Sequence, residues 1–157
     1  MADRKISFLK ALDVQSRAGT NYPAAVAAAV AGREKRVLGD PFGLDQFGVN
    51  LTTLAPGSAS SHRHWHERED EFIYMLDGEI VLVDDAGEHR LTAGMCAGFK
   101  AGVANGHCLR NLSKAPATYL EIGTRSPEEN SHYSDVDLQG RKSGGKWSFT
   151  KKDGTAY

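Results

Sequence analysis

The apolar positions of the chain fall into short runs that are separated by turn residues. Four such runs are four to eight residues long and either apolar or alternating, which is typical of β-strands. They cover residues 47–54, 72–76, 80–83 and 119–122. Aspartate and glycine lie between several of the runs, as turns between strands require. Many short strands with close turns predict an all-β sandwich or barrel.

The N-terminal part has a different pattern. Residues 24–31 are almost entirely alanine and valine, which favours a helix by local propensity. Pro23 and Gly32 bound this stretch, and isolated helices shorter than ~12 residues are marginal in water. We therefore expect an N-terminal arm over residues 1–45 that is extended or contains a short helical turn.

The C-terminal part is polar and rich in glycine from residue 126 onward, a composition that disfavours regular structure. Trp147 and Phe149 nevertheless lie two positions apart, as they would on one face of a strand. We expect a barrel over residues 46–125, followed by a tail over residues 126–157. This tail would pack its aromatic side chains on the barrel or on a partner subunit.

Composition and charge exclude several classes of protein. The 157 residues carry a formal net charge of −1, so nothing favours nucleic acid as a partner. No apolar run approaches the ~20 residues of a membrane-spanning helix, and the first residues lack the long apolar segment of a signal peptide. Cys96 and Cys108 are too few for a disulfide scaffold. We expect a cytoplasmic protein with two reduced thiols.

The densest chemical signal is the segment 61–71, which contains three histidines and three glutamates. If its first part is extended, His62, His64 and His66 share one face, because side chains alternate along a strand. Imidazoles two positions apart on an inward face can bind the same metal ion. Glu71 has the opposite parity, so the polar residues before it would have to form a turn.

A further ligand candidate lies downstream, in the segment 105–111. If this segment is a strand, His107 and Asn111 share one of its faces. Asn111 would then orient a ligand through a hydrogen bond or close a turn. Three imidazoles and one carboxylate suit transition metals and match Ca or Mg poorly.

The spacing of the first segment resembles the first motif of the cupin superfamily. That motif has two histidines one residue apart, a glutamate after three or four more residues, and a glycine after a further six. Here it reads His64-x-His66, four residues, Glu71, six residues, Gly78. Pairing His62 with His64 instead would need glycine at position 76, where the chain has leucine. The resemblance implies that His64, His66 and Glu71 are ligands and that His62 lies beside the site.

A second cupin motif is present in altered form. Gly94 and Gly102 match it, and His107 and Asn111 keep its histidine-to-asparagine spacing. Asn105 stands where the motif has histidine, and His107 follows two residues later, with the same strand parity. The resemblance therefore leaves either Asn105 or His107 as the fourth ligand, and we expect His107.

The resemblance covers about residues 48–123, and it implies a double-stranded β-helix, the jelly-roll barrel of the cupins. The whole chain resembles the bacterial single-domain cupins of the conserved-barrel type, and cupins are often homodimers. The resemblance implies one divalent transition metal ion, Zn, Ni, Fe, Mn or Co, but no particular substrate. We expect a small oxygen-rich molecule as the ligand of that ion. The implied ligands of that ion are His64, His66, Glu71 and His107.

Cupins have many functions, so the function has to be argued from the site. The first hypothesis is an enzyme of the dioxygenase type or of the isomerase/lyase type, in which the ion acts as a Lewis acid. Glu121 would be its general base if the polar face of residues 119–122 lines the barrel, and a surface residue if the apolar face does. The alternative is a sensor or carrier that binds its ligand through the same ion without turnover. A third hypothesis, a purely structural ion, predicts that metal removal unfolds the barrel.

Overall fold

The computed structural model describes residues 7–157, and strands dominate this part of the chain. Three short 3-10 helices lie near its start, at Ala11–Asp13, Ala24–Val30 and Asp40–Phe42. The described residues form thirteen strands: β1 (Arg17–Ala18), β2 (Arg33–Val37), β3 (Phe47–Leu54), β4 (His64–His66), β5 (Glu71–Asp77), β6 (Glu79–Asp84), β7 (Gly87–Thr92), β8 (Cys96–Phe99), β9 (Cys108–Arg110), β10 (Ala117–Thr124), β11 (Glu129–Tyr133), β12 (Gln139–Ser143) and β13 (Lys146–Thr150).

The strands are arranged in three antiparallel sheets. A six-stranded sheet has the order β1-β2-β3-β10-β5-β8, and a three-stranded sheet has the order β7-β6-β9. A four-stranded sheet, β13-β12-β11-β4, carries the histidine-rich segment at one edge. The apolar core joins strands of the first two sheets, and its largest fully buried members include Tyr119, Leu54, Met75 and Ile80. The predicted all-β jelly-roll class is confirmed.

The four strands predicted from the apolar runs are all present. β3 has the predicted bounds, while β5, β6 and β10 are each a few residues longer than their runs. Gly78 makes the tight turn between β5 and β6 with a φ of +75°, a backbone region that favours glycine. A Cβ atom there would lie 2.8 Å from the carbonyl oxygen of Pro116. The motif glycine is therefore needed both for the turn and for the close approach of the chain at the start of β10.

The N-terminal segment is more regular than its composition indicated. The alanine-rich stretch forms a seven-residue 3-10 helix, Ala24–Val30, in which only Val30 is buried. The following strand, β2, then pairs antiparallel with β3 along five residues. This pairing extends the large sheet, so one face of β2 lies beside the inner face of β3 and β10.

The C-terminal segment also differs from the irregular structure that its glycines indicated. It forms β11, β12 and β13, and β11 pairs with β4. Gly144 and Gly145 make the turn between β12 and β13, at φ of +55° and +78°. Gly140 lies under the rings of Trp147 and Phe149, where a Cβ atom would come within 3.1 Å of each. The glycines therefore serve a hairpin and a close packing contact within a regular sheet.

The outer face of the six-stranded sheet carries apolar side chains. Phe72, Tyr74 and Leu76 of β5 are 40%, 40% and 44% exposed, and we refer to these three residues as the outer strip.

Cys96 is exposed and Cys108 is buried, and both are free thiols. Within residues 7–157, no helix is long and apolar enough to cross a membrane.

Candidate metal centre and its cavity

The short strand β4 presents two imidazoles to the interior. His64 and His66 lie on its inner face, with 3.0 Å between their Nε2 atoms. Metal–nitrogen bonds of about 2.0–2.1 Å at a right angle would place two ligand atoms about 3 Å apart. Trp65, between them, points the other way and stacks on His132 with 4.3 Å between ring centroids. The predicted alternation therefore holds for residues 64–66, while His62 precedes the strand in a bend.

Glu71 joins the two histidines from the start of β5. The residues between β4 and β5 form the predicted turn, and the Glu71 Oε2 atom lies 3.7 Å from the His66 Nε2 atom. One ligand atom from each of His64, His66 and Glu71 lies within 4.8 Å of the others. The structure therefore brings three of the expected ligands together.

His107 reaches the same cluster through its backbone and through Glu71. His64 and His107 exchange two backbone hydrogen bonds, at 3.0 and 3.1 Å. The His107 Nε2 atom lies 2.9 Å from the Glu71 Oε2 atom, and Phe99 stacks on the His107 ring. The His107 side chain therefore meets the cluster at Glu71, and it lies outside the tighter group formed by His64, His66 and Glu71.

The side chain of Asn105, the alternative fourth ligand, is hydrogen-bonded to the end of β6 and the turn that follows it. Its Oδ1 atom accepts a hydrogen bond from the Asp85 amide at 2.9 Å, and its Nδ2 atom donates to Asp84 at 3.3 Å. Asp84 is the last residue of β6, and Asp85 lies in the turn to β7. The geometry therefore favours His107 over Asn105.

The electrostatics of the cluster favour the ligand forms of these side chains. Burial lowers the pKa of His64 to about 4, so its imidazole is neutral near pH 7 and has a lone pair for a metal. Burial on its own would raise the pKa of Glu71, but the hydrogen bond from His107 and the charges of the nearby histidines lower it well below its usual range. A neutral imidazole beside an ionised carboxylate suits a divalent transition ion.

Glu129, a residue that the sequence did not single out, lies behind His66. Its carboxylate is 2% exposed and accepts backbone hydrogen bonds from Glu67, Arg68 and Asn130. The Glu129 Oε2 atom is 4.0 Å from the His66 Nδ1 atom, which is buried and has no hydrogen-bond partner within the described residues 7–157. A negative charge behind a metal-binding imidazole orients the ring and makes it a better ligand.

The cluster opens onto a cavity of about 220 Å³. Its wall includes aromatic residues from both ends of the chain, namely Tyr22, Tyr133, Trp147 and Phe149. A second cavity of about 220 Å³ lies against His66, Glu71, Phe99 and His107 as well, and Trp65 and Val103 line it. The first cavity is smaller than the ~300–1,000 Å³ of sites for drug-sized ligands, so it suits a small metabolite.

The polar face of β10 lines the first cavity. Tyr119 and Glu121 are part of its wall, while Leu120 and Ile122 have the opposite parity. The Glu121 Oε1 atom accepts hydrogen bonds from Lys35 at 2.6 Å and from Asn50 at 3.2 Å. Of the two placements expected for Glu121, the structure shows the inward one.

Two cationic residues of the cavity, Arg33 and Lys35, were also missed by the sequence analysis. They lie two positions apart on β2 and line the cavity together. The alternation of residues 33 and 35 was a usable signal, but the N-terminal arm was not expected to enter the sheet.

The remaining polar candidates lie outside the cluster. The His62 Nε2 atom is 2.7 Å from the Val26 carbonyl oxygen. The Asn111 side chain donates to the carbonyls of Leu54 and Ala115, at 2.8 Å each, and so holds a turn. His89 and His132 contact Asp84 and Glu67 near the surface.

Comparisons with known proteins agree with this architecture. The cupin domain family model matches residues 50–123, and no curated protein sequence matches the chain. A sugar phosphate isomerase of the cupin superfamily from Silicibacter pomeroyi is 46% identical, with 96% of each chain covered and a TM-score of 0.92. A protein from Acidithiobacillus ferrooxidans to which sugar phosphate isomerase activity is ascribed is 26% identical, with 77% of each chain covered and a TM-score of 0.72.

A more distant likeness shows the fold alone. The polyketide cyclase from Streptomyces resistomycificus is 20% identical, with 76% of this chain and 79% of that chain covered and a TM-score of 0.63. The match at 46% identity over almost the whole length is far stronger than a shared fold. Together with the motif spacing and the β-barrel, it shows that the chain belongs to the cupin superfamily.

Proposed function

We propose that the protein is a metal-dependent isomerase that interconverts the aldose and ketose forms of a small phosphorylated sugar. The observation that carries this proposal is the position of Glu121, a carboxylate in the same cavity as His64, His66 and Glu71. Moving a proton between adjacent carbons needs such a base beside the polarised carbonyl. The Silicibacter pomeroyi relative supports both the reaction class and the substrate class.

The residues at the end of the cavity fit a divalent transition ion. His64, His66, Glu71 and His107 would hold it, as three nitrogen donors and one ionised oxygen donor suit Zn, Ni, Fe, Mn or Co. When bound, such an ion supplies Lewis acidity that polarises the carbonyl group of the sugar.

Glu121 would carry the proton. Its carboxylate takes the proton from the carbon next to the carbonyl, and the C–H electron pair forms the carbon–carbon double bond of an enediolate. Returning the proton to the other carbon, while the hydroxyl proton moves between the two oxygens, gives the isomer with no net oxidation. Lys35 and Asn50 fix the carboxylate against the wall through their hydrogen bonds.

The aromatic wall would keep water away from this reaction. Trp147 and Phe149 lie with their rings nearly parallel, 6.1 Å apart between centroids, and Tyr133 lies close to Phe149. Excluding water strengthens the electrostatic interactions of the carboxylate and the cationic groups with the substrate.

The proposal is tested by loading the protein separately with Zn, Ni, Fe, Mn and Co and incubating each form with phosphorylated aldoses and ketoses in D₂O. Proton NMR should show isomerised product with deuterium at the carbon next to the carbonyl. Glu121→Gln should lower kcat by about 10²–10⁴-fold and retain the metal. Glu34→Gln, the same change at an exposed position of β2, should leave kcat unchanged.

Other outcomes would favour the alternative functions. Oxygen consumption without isomerisation would support a dioxygenase. Thermal stabilisation by sugar phosphates without turnover of any of them would support a sensor or carrier. Unfolding on metal removal, with no effect of any sugar phosphate, would support a structural ion.

A further inference from the structure

The inner face of the six-stranded sheet orders its polar side chains from the metal cluster toward β2. Lys35 pairs with Thr52 and Thr52 pairs with Tyr119, while Asn50 pairs with Glu121. Residues paired in this way point to the same side of a sheet. Glu71 begins β5, Glu121 follows on β10, and the cationic residues Arg33 and Lys35 lie at the far end, on β2.

Arg33 carries a positive charge that no carboxylate neutralises among residues 7–157. Its guanidinium donates to the carbonyl oxygen of Ser60 and, at 3.4 Å, to that of Gly19. A guanidinium has five N–H donors in a planar fork that matches the geometry of phosphate. Donors of Arg33 therefore remain for a ligand in the cavity that it lines.

Two buried hydroxyls lie in the wall of the same space. Tyr119 is 0% exposed and Ser131 is 1% exposed, and both line the cavity. The Thr52 hydroxyl lies beside that of Tyr119, and the Tyr133 hydroxyl beside that of Ser131, but neither Tyr119 nor Ser131 makes a well-formed side-chain hydrogen bond within residues 7–157. Leaving a buried donor unpaired costs about 1–3 kcal/mol, so these hydroxyls are suited to contact a polar ligand. Arg33 lines the same cavity as Tyr22 and Tyr119. Burial raises the pKa of both phenols, and the charge of Arg33 opposes this increase.

The net charge of the cavity lining also favours an anionic ligand. Its lining holds two cationic side chains, Arg33 and Lys35, and two carboxylates, Glu71 and Glu121. These balance one another, so a divalent ion would leave an excess of two positive charges. A phosphate monoester, with a charge of about −1.5 to −2 near pH 7, would neutralise that excess.

We infer that Arg33 and Lys35, with the Tyr119 hydroxyl, form a subsite for the phosphate group of the substrate, at the opposite end of the cavity from the metal cluster. This inference rests on the proposed isomerase function for the identity of the substrate. It adds an orientation of the substrate: the phosphate end of the sugar binds at Arg33 and Lys35, and the carbonyl end binds at the metal cluster.

The subsite is tested directly by titrating the protein with inorganic phosphate and measuring the heat of binding by calorimetry at fixed ionic strength. The protein is first treated with a chelator, so that phosphate cannot bind to a metal ion instead. Arg33→Gln should weaken phosphate binding about tenfold or more, the size expected for lost hydrogen bonds to a charged group. The matched control is Arg36→Gln, on the opposite face of β2, because Arg36 also donates to a backbone carbonyl, that of Val14. It should leave phosphate affinity unchanged.

Arg33 also holds two backbone carbonyls, so its loss could unfold the protein. Thermal melting of each variant checks this, and Arg33→Lys, which retains the charge, should bind phosphate more tightly than Arg33→Gln. Lys35→Gln gives a second test, because the Lys35 ammonium contacts Glu121 and, in the part of the chain that the structure describes, donates to no backbone carbonyl. It should weaken phosphate binding several-fold.

The outcomes separate the subsite from the proposed function. Phosphate binding that depends on Arg33, in a protein that isomerises no sugar phosphate, would retain the subsite and exclude the isomerase. Isomerisation of a sugar phosphate with the same kcat/KM in wild type and in folded Arg33→Gln would retain the isomerase and overturn the subsite. Phosphate affinity unchanged in folded Arg33→Gln, or a sugar carboxylate that competes as strongly as phosphate, would also overturn it.

Discussion

Two regions of the chain contribute to the same cavity in different ways. The central region, residues 50–123, is the part that the cupin family model matches, and it contains the four expected metal ligands and Glu121. The flanking segments on either side supply Tyr22, Arg33 and Lys35 from one end and Tyr133, Trp147 and Phe149 from the other. The histidine–glutamate cluster thus lies in the part shared with the cupin family, while the flanks complete the wall of the cavity.

This division has a structural basis. The core between the six-stranded and the three-stranded sheets anchors β5 and β10, so the positions of Glu71 and Glu121 follow from the central fold. The flanks reach the cavity by adding edge strands: β2 pairs with β3, and β11 pairs with β4. Substitutions in these flanking strands alter the cavity wall without disturbing the central core. One fold can therefore accommodate different ligands.

The largest effect expected is on the metal. His66→Ala should remove the ion entirely from protein purified without chelators, measured as metal per chain by elemental mass spectrometry. His62→Ala, whose ring contacts the Val26 carbonyl outside the cluster, should retain it. A full complement of metal in His66→Ala would show that the central region does not hold the ion in the way proposed.

The same measurement distinguishes the two candidates for the fourth ligand. His107→Ala should lose metal, and Asn105→Ala should retain it, because Asn105 is bound to the turn at Asp84 and Asp85. The opposite pattern would assign the fourth position to Asn105.

A smaller effect should come from a flanking residue that acts on the centre. Glu129→Gln should weaken metal binding about 10–100-fold, since it removes the negative charge behind His66. Competition with a chromophoric chelator measures the affinity, and melting of the metal-free variant shows whether the backbone contacts of Glu129 survive. Unchanged affinity in a stable variant would restrict the metal centre to the central region.

Next in size is an effect on the fold of the central region. Gly78→Ala should destabilise the protein by at least about 1–2 kcal/mol from its left-handed backbone, with a further cost from the contact with Pro116. Gly94→Ala is the matched control, because Gly94 has a φ of +86° but nothing within 4 Å of its added Cβ. Denaturant unfolding compares them, and equal losses of stability would show that the contact with Pro116 is unimportant.

The smallest effect on the cavity is expected from the outer strip. The expected homodimer would use this apolar face, so Tyr74→Asp should convert dimer to monomer in analytical ultracentrifugation with metal content unchanged. Leu112→Asp places the same charge at a residue that is 64% exposed in a loop, and it should leave the oligomeric state unchanged. A wild type that sediments as a monomer would contradict the dimer.

Sequence patterns predicted the central region far better than the flanks. The alternation of His64, Trp65 and His66 gave the facing of β4 directly, and Gly78 identified the register of the motif. Both signals are local, because they depend on strand parity and on a backbone that requires glycine.

The flanks lacked such local signals. The role of β2 depends on its pairing with β3, and the role of Gly140 depends on the two aromatic rings that pack over it. Glu129 could not be identified because its importance comes from three backbone amides and from His66, all brought together only by the fold.

The pairing of β4 with β11 also couples the ion to a distant part of the chain. β4 is only three residues long, and its sheet contact is with the tail strand β11. An ion held by His64 and His66 favours the conformations in which this pairing is closed, and the closed pairing favours the ion to the same degree. Amide hydrogens of β11 should therefore exchange with solvent more slowly as the ion is added, which makes the tail a reporter of occupancy.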